Sequence, residues 1–446
     1  MTPTRRLAVA SFLFAGLSVP AASRAAVFDL YGFEARGTAL GNAMTAAADD
    51  YTATYYNPAL LPYAKRVRAG LSYHFTKPSL SIDRFKEDST VANAQAPSYG
   101  GLSLGFMFPL GYKIDYRFAL GIAIYLPTSS IIRIQSITPT TPHWYLFTSY
   151  PDKIQVLVGL AARIVDQISL GIGFHTLAEA PGNARVSVDV VNRLITQNDI
   201  DLKIAANTSL TAGLASVVFD DQAKGKLKLG LSYRAALELD FRLPVSLTLE
   251  GIGTIDLDVR GIVHYTPHQI NFGASYDLPS RRLRFSADLT LALWKYAPDP
   301  SIKFGVNLSG DIIAKFGLQD LLNLSTADAP VSAYNVLVPR VGVEYDLSSV
   351  VQLRAGYFYR ATMIPRQTAP QSNYIDANAH VVSFGAGFTF PDPFEATKRP
   401  VAIDLGFQFT VLPRRSATKT DPNDPVGDHS ASGFIFNFVA GLRHDF

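Results

Sequence analysis

The sequence predicts an all-β protein, a fourteen-stranded antiparallel transmembrane β-barrel with an N-terminal plug in its lumen. Three observations predict it. From Val67 to the C-terminus apolar residues recur with a period of two, the spacing that gives a strand one oily and one wet face. The segments between these runs alternate long and short, as the loops and turns of a barrel with two unlike ends do. Residues 37–62, GTALGNAMTAAADDYTATYYNPALLP, are crowded with Gly and Ala and resemble nothing that follows.

The chain opens on Arg5 and Arg6, an apolar run from Leu7 to Val19, and Ser23-Arg24-Ala25 ahead of Ala26. A basic start, an apolar stretch and a small-x-small site form a secretory signal; the Arg pair lacks the fuller context of a twin-Arg signal. The expected divisions are a signal peptide 1–25, a plug 26–65 and a barrel 66–446. Removing Arg5, Arg6 and Arg24 from 40 basic residues leaves 37, equal to the 37 acidic ones. A chain with no net charge offers no basic face to nucleic acid. Cysteine is absent, which excludes a disulfide framework, a thiolate nucleophile and Cys-ligated metal. Beyond the signal no apolar run reaches the roughly 18 residues of a spanning helix. With 48% hydrophobic residues, an exported chain of this kind is a secreted β protein or an outer-membrane barrel.

In the plug, Thr38 or Asn42 can open a turn and Asp49-Asp50 can cap another. Asn57-Pro58 is a helix start, with Asn accepting a backbone donor at the N-cap and Pro tolerated at the first helical position. In the first strand Val67, Ala69, Leu71, Tyr73 and Phe75 share one face, Arg68, Gly70, Ser72, His74 and Thr76 the other. Leu227 through Leu239 and Leu283 through Leu291 alternate likewise. Strands are expected near 66–77, 98–109, 117–126, 153–164, 167–178, 208–219, 226–241, 268–277, 281–294, 336–346, 351–361, 379–390, 400–412 and 433–446. The connections run long (78–97), short (110–116), long (127–152), very short (165–166), and so on to the long 413–432. A soluble sandwich has no reason to keep this asymmetry; an outer-membrane barrel does. The last strand places Phe434, Phe436, Phe438, Ala440, Leu442 and terminal Phe446 on its apolar face, which looks like the signal read by the outer-membrane assembly machinery.

Short motifs in a fixed order carry a resemblance. They are Ala26-Val27-Phe28, Arg36-Gly37-Thr38, Ala48-Asp49-Asp50 and Asn57-Pro58-Ala59-Leu60, then Thr266-Pro267 leading into Asn271-Phe272-Gly273, and Ala287-Asp288 with Trp294. Val338-Pro339-Arg340-Val341-Gly342 with Glu344-Tyr345, Leu353-Arg354-Ala355-Gly356-Tyr357, and His380-Val381-Val382-Ser383-Phe384-Gly385 complete the set. Over most of its length the chain resembles the FadL family, outer-membrane transporters of long-chain fatty acids and aromatic hydrocarbons. The resemblance implies a barrel closed by an N-terminal hatch containing Asn-Pro-Ala. It implies passive transport: capture of a hydrophobic small molecule at external loops, transfer to a lumenal site touching the mature N-terminus, and release sideways near an inward kink in the third strand. Gly121 lies inside that strand and Leu126-Pro127 ends it. Such a route suits apolar solutes, since lipopolysaccharide obstructs their direct entry and a dry pocket favours them over a water-filled pore.

The expected hatch and gating residues are Gly37, Gly41, Asp49, Asp50, Asn57, Pro58 and Ala59. Each has a structural reading beside the gating one: close backbone approach for the glycines, capping or pairing with lumenal Arg for the aspartates, a fixed last turn for Asn57-Pro58-Ala59. Phe28 matches the family position in the ligand pocket. Trp144, in Pro142-His143-Trp144, resembles the external capture region, and an interfacial aromatic belt is the equal alternative. Arg68, Arg234, Arg340, Arg354 and Arg360, with Glu238, Asp288, Glu344 and Asp404, fall on wet faces and suit charge networks between wall and plug. Of these, Arg340 and Arg354 are the candidates for a substrate carboxylate. The eight His residues form no ligand cluster, and Thr266-Pro267 separates His264 from His268; neither metal nor cofactor is expected. Expected partners are the hydrophobic substrate, outer-membrane lipid and lipopolysaccharide, and the assembly machinery, for a monomer in the bacterial outer membrane. The alternatives are a surface receptor or adhesin, and a rim-sited hydrolase, for which the sequence offers no nucleophile constellation.

Overall fold

The computed structural model describes residues 27–85, 93, 95–112, 115–128, 141–148, 153–179, 182–189, 194–202, 205–249, 253–298, 303–310, 315, 332–364, 373–392 and 399–446. The expected signal peptide lies outside them.

Strands follow in chain order as β1 (Arg68–Arg84), β2 (Tyr99–Leu110), β3 (Phe118–Pro127), β4 (His143–Trp144), β5 (Gln155–Val165), β6 (Ile168–Glu179) and β7 (Gly182–Asp189). Next come β8 (Leu194–Leu202), β9 (Ala205–Asp221), β10 (Gly225–Arg234), β11 (Leu237–Leu249), β12 (Gly253–Thr266), β13 (Gln269–Asp277) and β14 (Leu283–Ala292). The last are β15 (Lys303–Ser309), β16 (Val336–Asp346), β17 (Val351–Arg360), β18 (Tyr374–Ile375), β19 (Ala379–Pro391), β20 (Pro400–Ala417) and β21 (His429–Asp445). Fourteen of them close a barrel in the order β1-β2-β3-β5-β6-β9-β10-β13-β14-β16-β17-β19-β20-β21, and β1 pairs with β21 from Arg68↔Asp445 to Arg84↔His429. Each expected strand has its counterpart among these fourteen.

The alternation sets which way each side chain points. On β1, Leu71 and Tyr73 are 46% and 42% exposed on the outside, while Ser72, His74 and Thr76 are buried inside. On β14, Phe285 and Leu289 face out, and Ser286, Asp288 and Thr290 face in. The oily face is therefore the outer wall, and the hydrophobic cluster of the molecule occupies the lumen. At the C-terminus the backbone N–H of Phe446 donates to the Val67 carbonyl at 2.9 Å, fastening the seam beside the exposed Phe434, Leu442 and Phe446.

One expected strand is two. The run 226–241 leaves the wall after Arg234, and Leu237–Leu249 pairs with β12 from Leu237↔Thr266 to Leu249↔Gly253. β11 and β12 belong to a separate five-stranded sheet of order β15-β12-β11-β7-β8, assembled from three long connections. Glu238, expected on the lumenal face, lies in this outer hairpin. The two small residues Ala235-Ala236 and, opposite them, Pro267, which has no N–H to give a ladder, mark the bend. Alternation continues through it, so period alone reads one strand. A second small pairing, β4 with β18, runs parallel through His143↔Tyr374 and Trp144↔Ile375.

Residues 27–63 form α1 (Val27–Tyr31), α2 (Glu34–Ala39), α3 (Ala53–Tyr56) and a 3-10 turn over Pro58–Tyr63. The Asn57 side chain accepts from the Ala59 N–H at 3.1 Å and Pro58 occupies the first position of the turn, as an Asn-Pro start should. These elements are nearly all buried and press on the inner wall, where six pairs of glycines stand opposite one another: Gly70↔Gly105, Gly121↔Gly159, Gly171↔Gly213, Gly230↔Gly273, Gly342↔Gly356 and Gly385↔Gly406. A Cβ at any of them would meet the N-terminal segment or crowd against a neighbouring strand; Gly105 would meet Tyr51, Gly121 would meet Thr54, and Gly356 would meet the backbone of Leu40 and Gly41. The wall is stripped of side chains where the segment lies against it.

Candidate functional site

Polar side chains of the wall reach in to the segment's backbone. Gln408 donates to Leu30 O at 2.6 Å, Asn437 to Tyr31 O at 2.8 Å, Ser169 to Ala59 O at 2.5 Å and Ser232 to Tyr56 O at 2.9 Å. In the other direction Asn57 donates to Thr45 O at 3.0 Å and to Leu214 O at 3.2 Å, and the Thr45 N–H reaches Asp288 at 2.8 Å. A short irregular segment leaves many backbone groups without a ladder partner. Here the wall supplies several of those partners.

An ionic latch closes the end that bears the short turns. Arg36 forks onto Glu344 at 2.9 and 3.1 Å and holds Asp49 at 2.8 Å. Glu344 also takes Arg354 at 2.7 Å and Arg284 at 3.1 Å, and Arg354 continues to Asp404 at 2.5 Å. Asp49 has Arg68 and Arg284 at 3.7 Å besides Arg36; burial opposes its ionisation, but the Arg36, Arg68 and Arg284 guanidiniums hold the carboxyl well below the usual carboxylate range. Asp50 accepts from the Thr52 N–H at 2.9 Å and approaches Arg443 at 3.6 Å. The aspartate pair thus both turns the chain and ties it to the wall. Arg354 is fully engaged by Glu344, Asp404 and Gln352, a place in the latch and not in a pocket. Gly41, at φ +61, has its bare α-carbon beside the Tyr357 backbone, and Gly37 lies under the Tyr56 hydroxyl.

Above the latch lies an aromatic cage. Phe28 is 1% exposed, with ring centroids of Phe33 at 4.6 Å and of Tyr55 and Tyr125 both at 5.3 Å. His74 and His175 border it. On its polar side Arg234 donates to Asp29 and to the Tyr55 hydroxyl, both at 2.9 Å, and its guanidinium lies 4.0 Å from the Tyr55 ring centroid. Burial pushes the Asp29 carboxyl up, and Arg234, Tyr55 and Gln269 together bring it below its ordinary value. Arg340 donates to Thr290 and lies 5.3 Å from the Phe358 ring. Phe28, Asp29, Asp288, Arg234 and Arg340 line one cavity of about 20 Å³. Its charges cancel, two carboxylates against two guanidiniums.

Glu34 carries no local pattern that would single it out among the residues of the N-terminal segment. It has φ +66, a conformation non-glycine residues seldom adopt, and it is buried against Ser72 and Ser103, with Ser103 at 2.5 Å. Ser103 in turn lies 2.8 Å from His74. Ser72, Ser103 and His74 are legible as inward-facing polar residues; a carboxylate on the plug to receive them is not. Burial pushes the Glu34 carboxyl up to about 7. Since the folded protein then binds the proton more tightly than the unfolded chain, stability falls as pH rises from about 4.5 to about 7 and is level above. That gap corresponds to about 3 kcal/mol. Glu34→Gln is expected to remove this dependence, so thermal unfolding of the two proteins should separate progressively across that window, the variant being the more stable at pH 8.

Trp144 is 1% exposed and packs on Phe147. It belongs to a lumenal cap where β4 pairs with β18, so it is not a member of an interfacial belt. Arg360 clamps this cap through Asp376 at 2.9 Å. The third strand keeps its register with β2 from Phe118 to Pro127 and with β5 from Phe118 to Tyr125. The kink expected there is absent from its pairing; Gly121 instead receives Thr54 and Leu61 of the plug. Pairing with β5 ends at Tyr125↔Gln155, at the level of the cage. Among the described residues no group of His, Asp and Glu has the geometry of a metal site, and no helix is long and apolar enough to cross a membrane.

No family model matches the chain. Alkane uptake protein A of Marinobacter nauticus is 25% identical over 459 aligned positions, covering 99% of this chain and 96% of that protein. Among solved structures, a Pseudomonas aeruginosa FadL homologue superposes with a TM-score of 0.57 at 14% identity, covering 97% of this chain and 99% of its own. The Pseudomonas putida toluene transporter TodX gives 0.58 at 16% identity, covering 94% and 99%; the Ralstonia pickettii toluene transporter TbuX gives 0.54 at 18%, covering 94% and 100%. With fourteen strands closed around its own N-terminal segment and a full-length structural likeness to these proteins, the chain has the fold of the FadL-type β-barrels.

Proposed function

We propose that the protein carries hydrophobic compounds passively across the outer membrane, as a channel and not an enzyme, with neutral hydrocarbons favoured over fatty acids. The observation that carries this is the aromatic cage whose centre is the protein's own Phe28. A solute that displaces the ring gains an apolar enclosure, and in doing so presses on a segment held by Asp49, Asp50 and Asn57-Pro58-Ala59. Arg234 is paired with Asp29, and with Asp288 beside Arg340 the lining carries no net positive charge to draw a carboxylate in. The alkane-uptake relative and the toluene transporters point the same way. The external loops would capture the solute, with Trp144 in the cap at the entrance. Release would run sideways beside Tyr125, where β3 and β5 cease to pair; the latch obstructs the straight path to the periplasm. Residues 26–65 act as the hatch, and 1–25 as the signal removed on export.

Uptake of labelled alkane, toluene and fatty acid by cells with and without the gene tests the reading, together with identification of material co-purifying in the barrel. Phe28→Ala removes the ring that a solute must displace from Phe33, Tyr55 and Tyr125, so binding of a hydrocarbon is expected to tighten by about tenfold, measured by ligand fluorescence displacement; unchanged affinity would count against the cage as the binding site. Unaltered uptake across the whole panel in cells lacking the gene would sink the transport claim.

A further inference from the structure

The end of the barrel with the short turns, which faces the periplasm, holds a second cavity, of about 240 Å³. Its chemistry is unlike that of the cage. Asp49, Glu344 and Asp346 are its three carboxylates, and Arg36, Arg68 and Arg284 already share the first two. Three further arginines complete the lining: Arg281, Arg282 and Arg443. The carboxylates that balance the others, Asp220, Asp277, Asp404 and Asp445, pair with these arginines but are not part of the lining. Arg282 is exposed and has no ion pair among the described residues, and Arg443 reaches its carboxylates only at 3.5 and 3.6 Å. A hydrophobic solute gains nothing in such a place.

We infer that this periplasmic cavity is a binding site for a phosphate-type oxyanion, held by Arg282 and Arg443 with Arg36, Arg68 and Arg284 behind them. Guanidinium forks match the geometry of phosphate oxygens, and of the six lining guanidiniums Arg282 has no carboxylate partner among the described residues and Arg443 holds its own only at 3.5 and 3.6 Å, so these two are free to turn to an anion. The site is independent of which solute the barrel carries. Because Asp49 and Glu344 belong both to this lining and to the latch, an oxyanion that relieves crowding among the arginines holds the N-terminal segment more firmly. The same chemistry is available from free phosphate and from the phosphate of an inner-leaflet phospholipid.

Thermal unfolding in a non-ionic detergent and a phosphate-free buffer, at constant ionic strength, tests it. Inorganic phosphate is expected to raise the midpoint saturably where chloride does not, and Arg282→Gln with Arg443→Gln to weaken that response at least tenfold. Arg282→Gln alone, at an exposed position, is the variant that keeps the fold and should already weaken it. A second arm compares nanodiscs of phosphatidylcholine with nanodiscs containing phosphatidic acid. Stabilisation by phosphatidic acid but not by inorganic phosphate assigns the site to a headgroup; the converse assigns it to the free ion. Equal responses to phosphate and chloride with no response to phosphatidic acid, or responses unchanged in both variants, overturn the proposal.

Discussion

Glu344→Gln is expected to unlatch the plug. Glu344 receives Arg36, Arg284 and Arg354 at once, and neutralising it leaves three guanidiniums, two of them almost wholly buried, with one fewer carboxylate between them. Breaking a buried ion pair by removing one partner costs about 3–5 kcal/mol, chiefly because the other charge stays behind without compensation. The loss falls on the contact between Arg36 of α2 and β16, so its expected result is an N-terminal segment that leaves its seat more often. Single-channel recording in planar bilayers should then show openings that the wild type lacks, and cells carrying the variant should become sensitive to large hydrophilic antibiotics. An intact closed state with an unchanged unfolding midpoint would mean that the glycine contacts alone hold the segment.

Gly356→Ala is expected to do comparable damage by adding one methyl group. The new Cβ would fall on the backbone of Gly41 and Leu40, atoms that cannot swing aside as a flexible side-chain tip can. Overpacking of this kind costs about 1–3 kcal/mol, and relief requires α2 to lift from β17. A matched control lies in the same protein: Gly305, on β15 of the outer sheet, has no atom nearer than 3.7 Å to an added Cβ. Gly305→Ala should leave both the unfolding midpoint and the heat-dependent gel mobility of the barrel unchanged, and Gly356→Ala should lower the temperature at which the folded band disappears. Equal behaviour of the two would remove the close-packed belt from the account of how the plug is held.

The wall was legible because its cause is local. Leu71 and Tyr73 against Ser72 and His74, or Phe285 against Asp288, announce their faces by alternation, and the turn at 166–167 between β5 and β6 announces its end of the barrel by its brevity. The outer sheet was not legible, because membership of a sheet is decided by a bend at Ala235-Ala236 that leaves the period intact. Within the site, Asn57-Pro58 and Asp50 could be read as caps, since capping is settled within a few residues. The Glu34–Ser103–His74 contacts could not, because they join a helix to two strands across the lumen. Arg340 and Arg354 look identical in sequence, both on wet faces of neighbouring strands. Only the third dimension separates them, placing one beside the cage and the other in the latch.

The six glycine pairs bear on how the barrel is made. Glycine contributes no cross-strand side-chain contact and leaves a strand pliant, so at this level a wall built by itself would be soft on nearly every strand. The N-terminal segment supplies the missing stiffness from within, as a mandrel supports a thin tube while its seam is closed. It is joined to β1 by only residues 64–67 and is synthesised before any strand, whereas the closing partner, β21, comes last. The order of the chain therefore matches an order of construction in which the former is present before the tube is sealed around it.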